Sequence, residues 1–160
     1  MVSYDPNLRP LLWGSLEEAR EVLLQGFAFA DIVKVSEEEV AFLIGETDMA
    51  AGAQKLHALG PRLVFVTLGP AGCFYSAGGH ARYTPTYDLV VKDTTGAGDA
   101  LMRGILASLG ASGKPLDALP APDALVNLVV LADAVGALAT TPSRRVTLRP
   151  LPDDYCTLPS

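Results

Sequence analysis

The feature that most constrains this chain is a glycine turn, residues 96–98, between a strand pattern and a helix pattern. The preceding run, residues 89–91, is apolar and largely β-branched, and apolar residues then recur every four positions at Leu101, Ile105 and Leu109. This pattern predicts a strand, a tight turn and a helix from about residue 98 to 109. Backbone N–H groups converge at such a helix start, where the helix dipole also favours negative charge, so the turn predicts an anion-binding site.

Asp99 follows this turn directly and places a carboxylate beside the predicted anion site. A base next to an anion site is typical of phosphoryl transfer to a hydroxyl group. A purely architectural turn remains an alternative, because Asp in a first helical turn also favours the dipole. Two nucleotide-binding motifs are disfavoured. Leu101 occupies the third glycine position of the dinucleotide fingerprint. Ser108 occupies the first glycine position of a P-loop pattern aligned on Gly113 and Lys114.

The composition indicates one globular domain. Of 160 residues, 49% are hydrophobic and 19% are charged, an ordinary balance for a chain large enough to bury its own core. The net charge of −6 argues against nucleic acid or an anionic membrane as the main partner. No apolar run approaches the roughly 18 residues of a spanning helix. The N-terminus has no signal-type segment, so the sequence predicts a cytoplasmic protein.

Strand patterns alternate with helix patterns along the chain. Strands are predicted at 2–4, 31–35 and 62–67, a hairpin around two glycines at 73–83, and helices at 16–29, 37–44 and 48–59, with a long helix from residue 122. Capping boxes at Ser15 and Ser36 start the first two helices. One face of the first helix carries the apolar residues Leu16, Ala19, Leu23 and Phe27. We therefore expect a three-layer α/β/α sheet, mostly parallel with an inserted β-hairpin, and a ligand crevice at the carboxyl ends of its strands.

The motif DTTGAGD, at residues 93–99, resembles the second signature of the ribokinase-like, or PfkB, carbohydrate kinases. The resemblance implies that Asp99 is the catalytic base that takes the proton from a sugar hydroxyl. It also implies that the backbone of Gly96, Ala97 and Gly98 forms the anion hole for the transferring phosphoryl group.

The same motif implies a monovalent cation, K⁺, near Asp93 and Thr95. Whether this cation site is complete stays an open question. Val146 and Thr147 stand near the position where the family carries a Gly-Ala pair that contributes carbonyls to the site. The signature also departs from the family at Arg103, where a small residue is usual. Arg103 lies one helical turn after the base and is placed to form an ion pair with it.

Two earlier segments resemble the family as well. Residues 5–9, DPNLR, look like a segment of fructokinases and ketodeoxygluconate kinases, which implies that Asn7 and Arg9 face substrate or phosphate from the end of a central strand. The passage around residues 36–39 is similar to a strand-to-helix motif, Asn-x-x-Glu, that orders magnesium and phosphate. Here Ser36 replaces the Asn, and Glu39 is both a capping residue and a candidate for contacting Mg²⁺ through water.

The nucleotide side of the family has two counterparts. Thr67, Gly69 and Gly72 form a Thr-x-Gly-x-x-Gly pattern at a strand end, which resembles the loop near the ATP ribose and phosphates. Asp133 lies in a segment that looks like the helix against the adenine, at a position where Asn is common. The resemblance thus implies ATP and Mg²⁺ as cofactors.

The resemblance runs from residue 2 to about 142 and covers only the later half of the family. It implies a partial PfkB-type kinase domain at residues 1–152, comprising the nucleotide-binding and catalytic half, and a C-terminal tail at 153–160. The N-terminal half and the β lid have no counterpart here.

The implied function is ATP-dependent phosphorylation of a sugar hydroxyl, with fructokinases as the nearest group. Two alternatives stay open: activity of the 2-keto-3-deoxygluconate kinase type, and a truncated, non-catalytic nucleotide-binding remnant. The expected small-molecule partners are a sugar and ATP. A second copy of the chain and a separate N-terminal half are the two alternatives for a protein partner.

Overall fold

The computed structural model describes residues 1–84 and 97–112 of the chain. The strands are β1 Ser3–Tyr4, β2 Ile32–Ser36, β3 Leu63–Thr67, β4 Cys73–Ala77 and β5 His80–Thr84, and the helices are α1 Leu16–Gly26, α2 Glu37–Ile44, α3 Met49–Ala58 and α4 Ala97–Ser112. The predicted elements in these ranges are confirmed, with ends shifted by a few residues. The predicted long helix from residue 122 and the predicted tail at 153–160 lie outside the described residues. No described helix has the length and apolarity needed to cross a membrane.

The strands form one five-stranded sheet in the order β1-β2-β3-β4-β5. β1 pairs parallel with β2, and β2 pairs parallel with β3, with Ser36 opposite Thr67 at the end of the second pair. Because these three strands run in one direction, their carboxyl ends lie at the same edge of the sheet. The loop after β1 and the start of α2 therefore lie near the end of β3.

The β4–β5 connection is a two-residue hairpin turn at Gly78 and Gly79, whose φ angles are 57° and 83°. Positive φ at both central residues is the requirement of a type I′ turn, and glycine meets it without steric cost. A two-residue connection joins antiparallel strands, because a parallel pair needs a long crossover. The sheet is therefore mixed, which confirms the expectation of a mostly parallel sheet with an inserted hairpin.

The described residues divide into two units, of which the first comprises Met1–Leu68 and Phe74–Ala81 and the second comprises Gly69–Cys73, Arg82–Thr84 and α4. The first unit packs its helices and sheet around one apolar cluster. Its buried members are Leu23, Phe27, Val33, Val35, Val40, Leu43, Met49, Ala53, Leu56, Val64, Val66 and Phe74. At its margin, the Tyr4 ring meets the Phe27 ring edge-on, with 5.2 Å between the ring centroids.

Local capping interactions start the helices of the first unit. The Ser36 hydroxyl accepts the Glu39 N–H at 3.2 Å, and the Glu39 carboxylate accepts the Ser36 N–H at 2.8 Å, which completes the predicted capping box of α2. In α1, the Ser15 hydroxyl accepts the N–H of Glu18 at 3.1 Å. On the apolar face of α1, Ala19 and Leu23 are buried, whereas Leu16 is 48% exposed.

Gly26 generates a test of the contact between α1 and β1. A Cβ atom added there would lie 2.5 Å from the Tyr4 Cζ atom. We expect Gly26→Ala to lower the free energy of unfolding by about 1–3 kcal/mol through overpacking, against a helix-propensity gain of at most ~1 kcal/mol. The measurement is the urea unfolding midpoint.

Gly14→Ala is the matched control, since its added Cβ would meet only the flexible, exposed Glu18 carboxylate, at 2.8 Å. A side chain that can move aside leaves this control near the wild-type midpoint. Equal destabilisation by the two substitutions would contradict the importance of the Tyr4 contact.

Candidate active site

The carboxyl ends of β1, β2 and β3 gather four of the predicted site residues. Asn7 and Arg9 follow β1, Glu39 lies in the first turn of the helix that follows β2, and Thr67 is the last residue of β3. The Thr67 hydroxyl donates to the carbonyl of Val35 on the neighbouring strand at 3.4 Å. The structure thus places these residues at one edge of the sheet, as the pattern of strands and loops predicts.

Glu39 is the best-connected side chain at this edge. It is only 8% exposed, and its two carboxylate oxygens accept different backbone N–H groups. Oε2 accepts from Ser36 at 2.8 Å, and Oε1 accepts from Leu8 at 2.7 Å. One side chain therefore joins the start of α2 to the loop that carries Asn7 and Arg9.

Two polar residues of this loop, Asn7 and Arg9, are exposed. Asn7 has φ of 46°, the only positive φ of a non-glycine residue among the described part of the chain. Asn tolerates this left-handed conformation better than most residues, although the conformation is uncommon. The side chains of Asn7 and Arg9 are both exposed, so an approaching ligand can reach them at the sheet edge.

An ion pair that the sequence analysis missed anchors the start of the same loop. The Lys34 ammonium, in the middle of β2, lies 2.7 Å from Asp5 Oδ2, with side-chain exposures of 10% and 22%. Asp5 Oδ1 is buried and accepts no hydrogen bond from the described residues. The available signal was a lysine inside an apolar strand, a position that needs an anionic partner when it is buried.

The loop after β3 has the backbone geometry of a close-approach turn. Gly69 and Gly72 have φ of 55° and 100°, and the Gly72 N–H donates to the Gly69 carbonyl at 3.2 Å. Gly69 is exposed, and an added Cβ would find no atom within 4 Å. Open space beside a glycine backbone fits the expected approach of a nucleotide.

Asp99 lies in the first turn of α4, and its carboxylate is exposed. Arg103 is also exposed, and among the residues that the structure describes no ion pair joins it to Asp99. The carboxylate is thus accessible at a helix N-terminus, where the N–H groups of Ala97 and Gly98 also lie. Four other predicted residues, Asp93, Thr95, Gly96 and Asp133, lie outside the described residues.

The described part of the chain contains no cluster of three or more His, Cys, Asp or Glu residues that could hold a metal ion. Mg²⁺ does not require such a cluster, because it commonly uses one or two carboxylates together with water and substrate phosphates. Glu39 has spare lone pairs on both oxygens for a water molecule. Its role toward Mg²⁺ stays a prediction.

Comparison with known proteins identifies the family. The pfkB family carbohydrate kinase pattern matches residues 1–143. The chain belongs to the pfkB family of carbohydrate kinases. Among curated pfkB relatives, it is 44% identical over 156 residues to a fructokinase of Klebsiella pneumoniae, a match that covers 96% of this chain and 49% of the relative.

Solved structures of similar proteins confirm the ribokinase-like α/β fold of this pfkB chain. One is a fructokinase from Vibrio cholerae O395 with fructose, ADP and a calcium ion bound, at TM-score 0.77 and 34% identity, covering 88% of this chain and 44% of that one. Another is an aminoimidazole riboside kinase from Salmonella enterica complexed with aminoimidazole riboside and an ATP analog, at TM-score 0.75 and 31% identity, covering 89% and 46%. The pfkB chain spans about half the length of these relatives.

The pKa of Tyr4 provides a test of the negative charge at this sheet edge. Its hydroxyl donates to the Leu23 carbonyl at 3.0 Å, and burial, followed by the Glu39 and Asp5 carboxylates, raises the pKa of Tyr4 above its ordinary value of 10.0. A raised folded-state pKa stabilises the fold fully below pH ~10 and loses that contribution as the pH rises through the folded pKa.

We therefore expect Tyr4→Phe to cost about 0.5–1.5 kcal/mol of unfolding free energy near neutral pH. The gap between wild type and variant should then narrow above pH ~10. Urea unfolding across this pH range measures the difference in unfolding free energy between wild type and variant. Titration of the other tyrosines and of the lysines affects both proteins equally and cancels in this difference. A constant gap would contradict the shifted pKa.

Proposed function

We propose that this chain supplies the nucleotide-binding and catalytic half of an ATP-dependent sugar kinase of the fructokinase type. The observation that carries the proposal is the 44% identity to a fructokinase across 96% of the chain. The similar Vibrio and Salmonella kinases hold fructose or a riboside together with a nucleotide. Both complexes support a small sugar-like acceptor and ATP as the substrates of this chain.

Asp99 is the proposed catalytic base. Its exposed carboxylate takes the proton of the acceptor hydroxyl while the hydroxyl oxygen forms a bond to the γ-phosphorus and the bond to the β–γ bridging oxygen breaks. The N–H groups of Gly96, Ala97 and Gly98 stabilise the charge that develops on the phosphoryl oxygens. Mg²⁺, when bound with ATP, neutralises further phosphate charge.

The sheet edge supplies the proposed binding groups. Arg9 and Asn7 contact the sugar or the transferred phosphate, because both are exposed on a loop that is held in place. Thr67, Gly69 and Gly72 contact the nucleotide through a hydroxyl and an open backbone turn. Asp133 at the adenine, and Asp93 with Thr95 at a K⁺ ion, complete the proposal from outside the described residues.

A second candidate is a non-catalytic, nucleotide-binding remnant of a kinase, and the partial coverage of the relatives supports it. The chain covers 49% of the Klebsiella relative, so the remaining half of the kinase is unmatched. The sugar-selecting residues of a kinase can lie in that half. A sugar acid of the 2-keto-3-deoxygluconate type therefore remains an alternative substrate.

Asp99→Asn separates these candidates. We expect it to lower sugar-dependent ADP release by a factor of about 10² or more, while the affinity for ATP stays within about threefold, since the carboxylate acts in proton transfer rather than in nucleotide binding. The assay uses the 160-residue chain, alone and mixed with the unmatched half of the Klebsiella fructokinase.

Glu17→Gln is the control, because it removes an exposed carboxylate from the first turn of α1. Unchanged turnover in Asp99→Asn would eliminate the proposed base. ATP binding without sugar-dependent ADP release, in both arrangements, would instead support the remnant.

The edge of the sheet formed by β1 is the proposed contact with the unmatched half of the kinase. β1 is an edge strand of the described sheet, and large apolar side chains in the segments after β1 and before β2 are exposed: Leu11 at 99%, Leu12 at 81% and Phe29 at 78%. Exposed apolar patches mark interaction surfaces. A chain half the length of its relatives is expected to expose such a surface where the other half would pack.

We expect the double variant Leu11→Glu and Leu12→Glu to weaken binding of the unmatched half of the Klebsiella fructokinase by at least about tenfold, because charge replaces buried apolar contacts. Sedimentation velocity measures the complex. Val22→Glu, at a 47% exposed apolar position on α1, is the matched control. A homodimer that only the double variant dissociates would assign this surface to a second copy of the chain instead.

A further inference from the structure

The Glu39 carboxylate makes a contact that helix capping does not require. A capping box needs only the reciprocal bonds between Ser36 and Glu39 at the start of α2. The second oxygen of Glu39 instead accepts the N–H of Leu8, which lies 31 residues away, at 2.7 Å. This side chain therefore holds two segments of the chain together.

The energetics favour a strong contact. A carboxylate that is 8% exposed has lost most of its water, and that loss is costly unless donors replace the water. The two N–H groups and the dipole at the start of α2 provide the replacement. Breaking the bond to Leu8 would leave part of a buried charge unsatisfied, so the loop is held closely to the helix.

A second tether acts on the other side of Asn7. The Lys34 ammonium holds Asp5 at 2.7 Å, two residues before Asn7, and Glu39 holds Leu8, one residue after it. Asn7 lies between these anchors with its left-handed φ of 46°. A strained backbone of this kind persists where its surroundings over-determine it.

We propose that Glu39 is a positioning residue that sets the conformation of Asn7 and Arg9 through the Leu8 N–H. This inference rests on the proposed function for the ligand that these two side chains contact. It differs from a magnesium-linked role of Glu39, because it acts through a direct hydrogen bond between two protein groups, the Leu8 N–H and the Glu39 carboxylate. Lys34 supports the same loop from its opposite end.

The direct test is hydrogen exchange of the Leu8 amide in the 160-residue chain without nucleotide or Mg²⁺, followed by NMR. We expect Glu39→Gln to speed Leu8 exchange at least about tenfold, while amides in the centre of β3 keep their rates. Glu38→Gln is the matched control, since it removes the neighbouring, exposed carboxylate of the same helical turn. An unchanged Leu8 rate in folded Glu39→Gln would overturn the proposal.

Glu39→Asp serves if Glu39→Gln does not fold, as judged by circular dichroism. Asp keeps the charge at the helix start but is one methylene shorter and cannot span both donors, so the same acceleration at Leu8 is expected. An Asp variant with the wild-type Leu8 rate would also overturn the proposal.

Kinetics of the reconstituted kinase separate positioning from metal binding. If Glu39 acts through the loop, Glu39→Gln and Asn7→Ala should be non-additive in their effects on kcat/KM, and excess Mg²⁺ should not rescue Glu39→Gln. Full rescue by Mg²⁺ would overturn the positioning role. If no sugar-dependent turnover occurs at all, the proposed function fails, while the Leu8 exchange result still decides this inference.

Discussion

The buried carboxylate of Glu39 is the contact on which this sheet edge depends. A charge so poorly exposed is tolerated only where donors replace its water, and here the donors come from two distant segments, at Ser36 and Leu8. The need to satisfy one charge therefore draws the loop after β1 onto the start of α2. Lys34 and Asp5 repeat this arrangement with an ion pair, also largely buried. Polar groups of the first unit thus hold its candidate residues, while the apolar cluster beneath them holds the helices to the sheet.

The parallel pairing of the strands explains why the candidate residues lie close together. β1, β2 and β3 run in one direction, so the loop after β1, the start of α2 and the end of β3 lie at one edge of the sheet. The chain belongs to the pfkB family of carbohydrate kinases, and its curated relatives include fructokinases. Leu11 and Leu12 are exposed in the segment that follows β1, and the chain spans about half the length of the curated relatives it matches.

Much of this was predictable because the signals are local. The glycine pair at the hairpin, the Ser36 capping box and the apolar strand of β3 act over a few residues, and each formed as its pattern indicates. Asn7, after β1, and Thr67, at the end of β3, were predicted to share an edge, since parallel strands place their ends together. Leu16 is exposed although it shares a helix face with buried residues, because periodicity identifies a helix face but not what covers its first turn. The roles of Asp99 and the other site residues stay predictions.

Local propensities and the DTTGAGD motif were enough to determine the order of elements and the class of chemistry to expect. They could not determine that Glu39 bonds to Leu8, that Lys34 pairs with Asp5, or that Gly26 leaves room for Tyr4. Each of these contacts joins residues more than twenty positions apart. The first two need the loop after β1 to lie beside β2 and α2, and the third needs α1 to pack against Tyr4 of β1. Such contacts depend on distances that a linear pattern does not contain, so tertiary structure alone decided them.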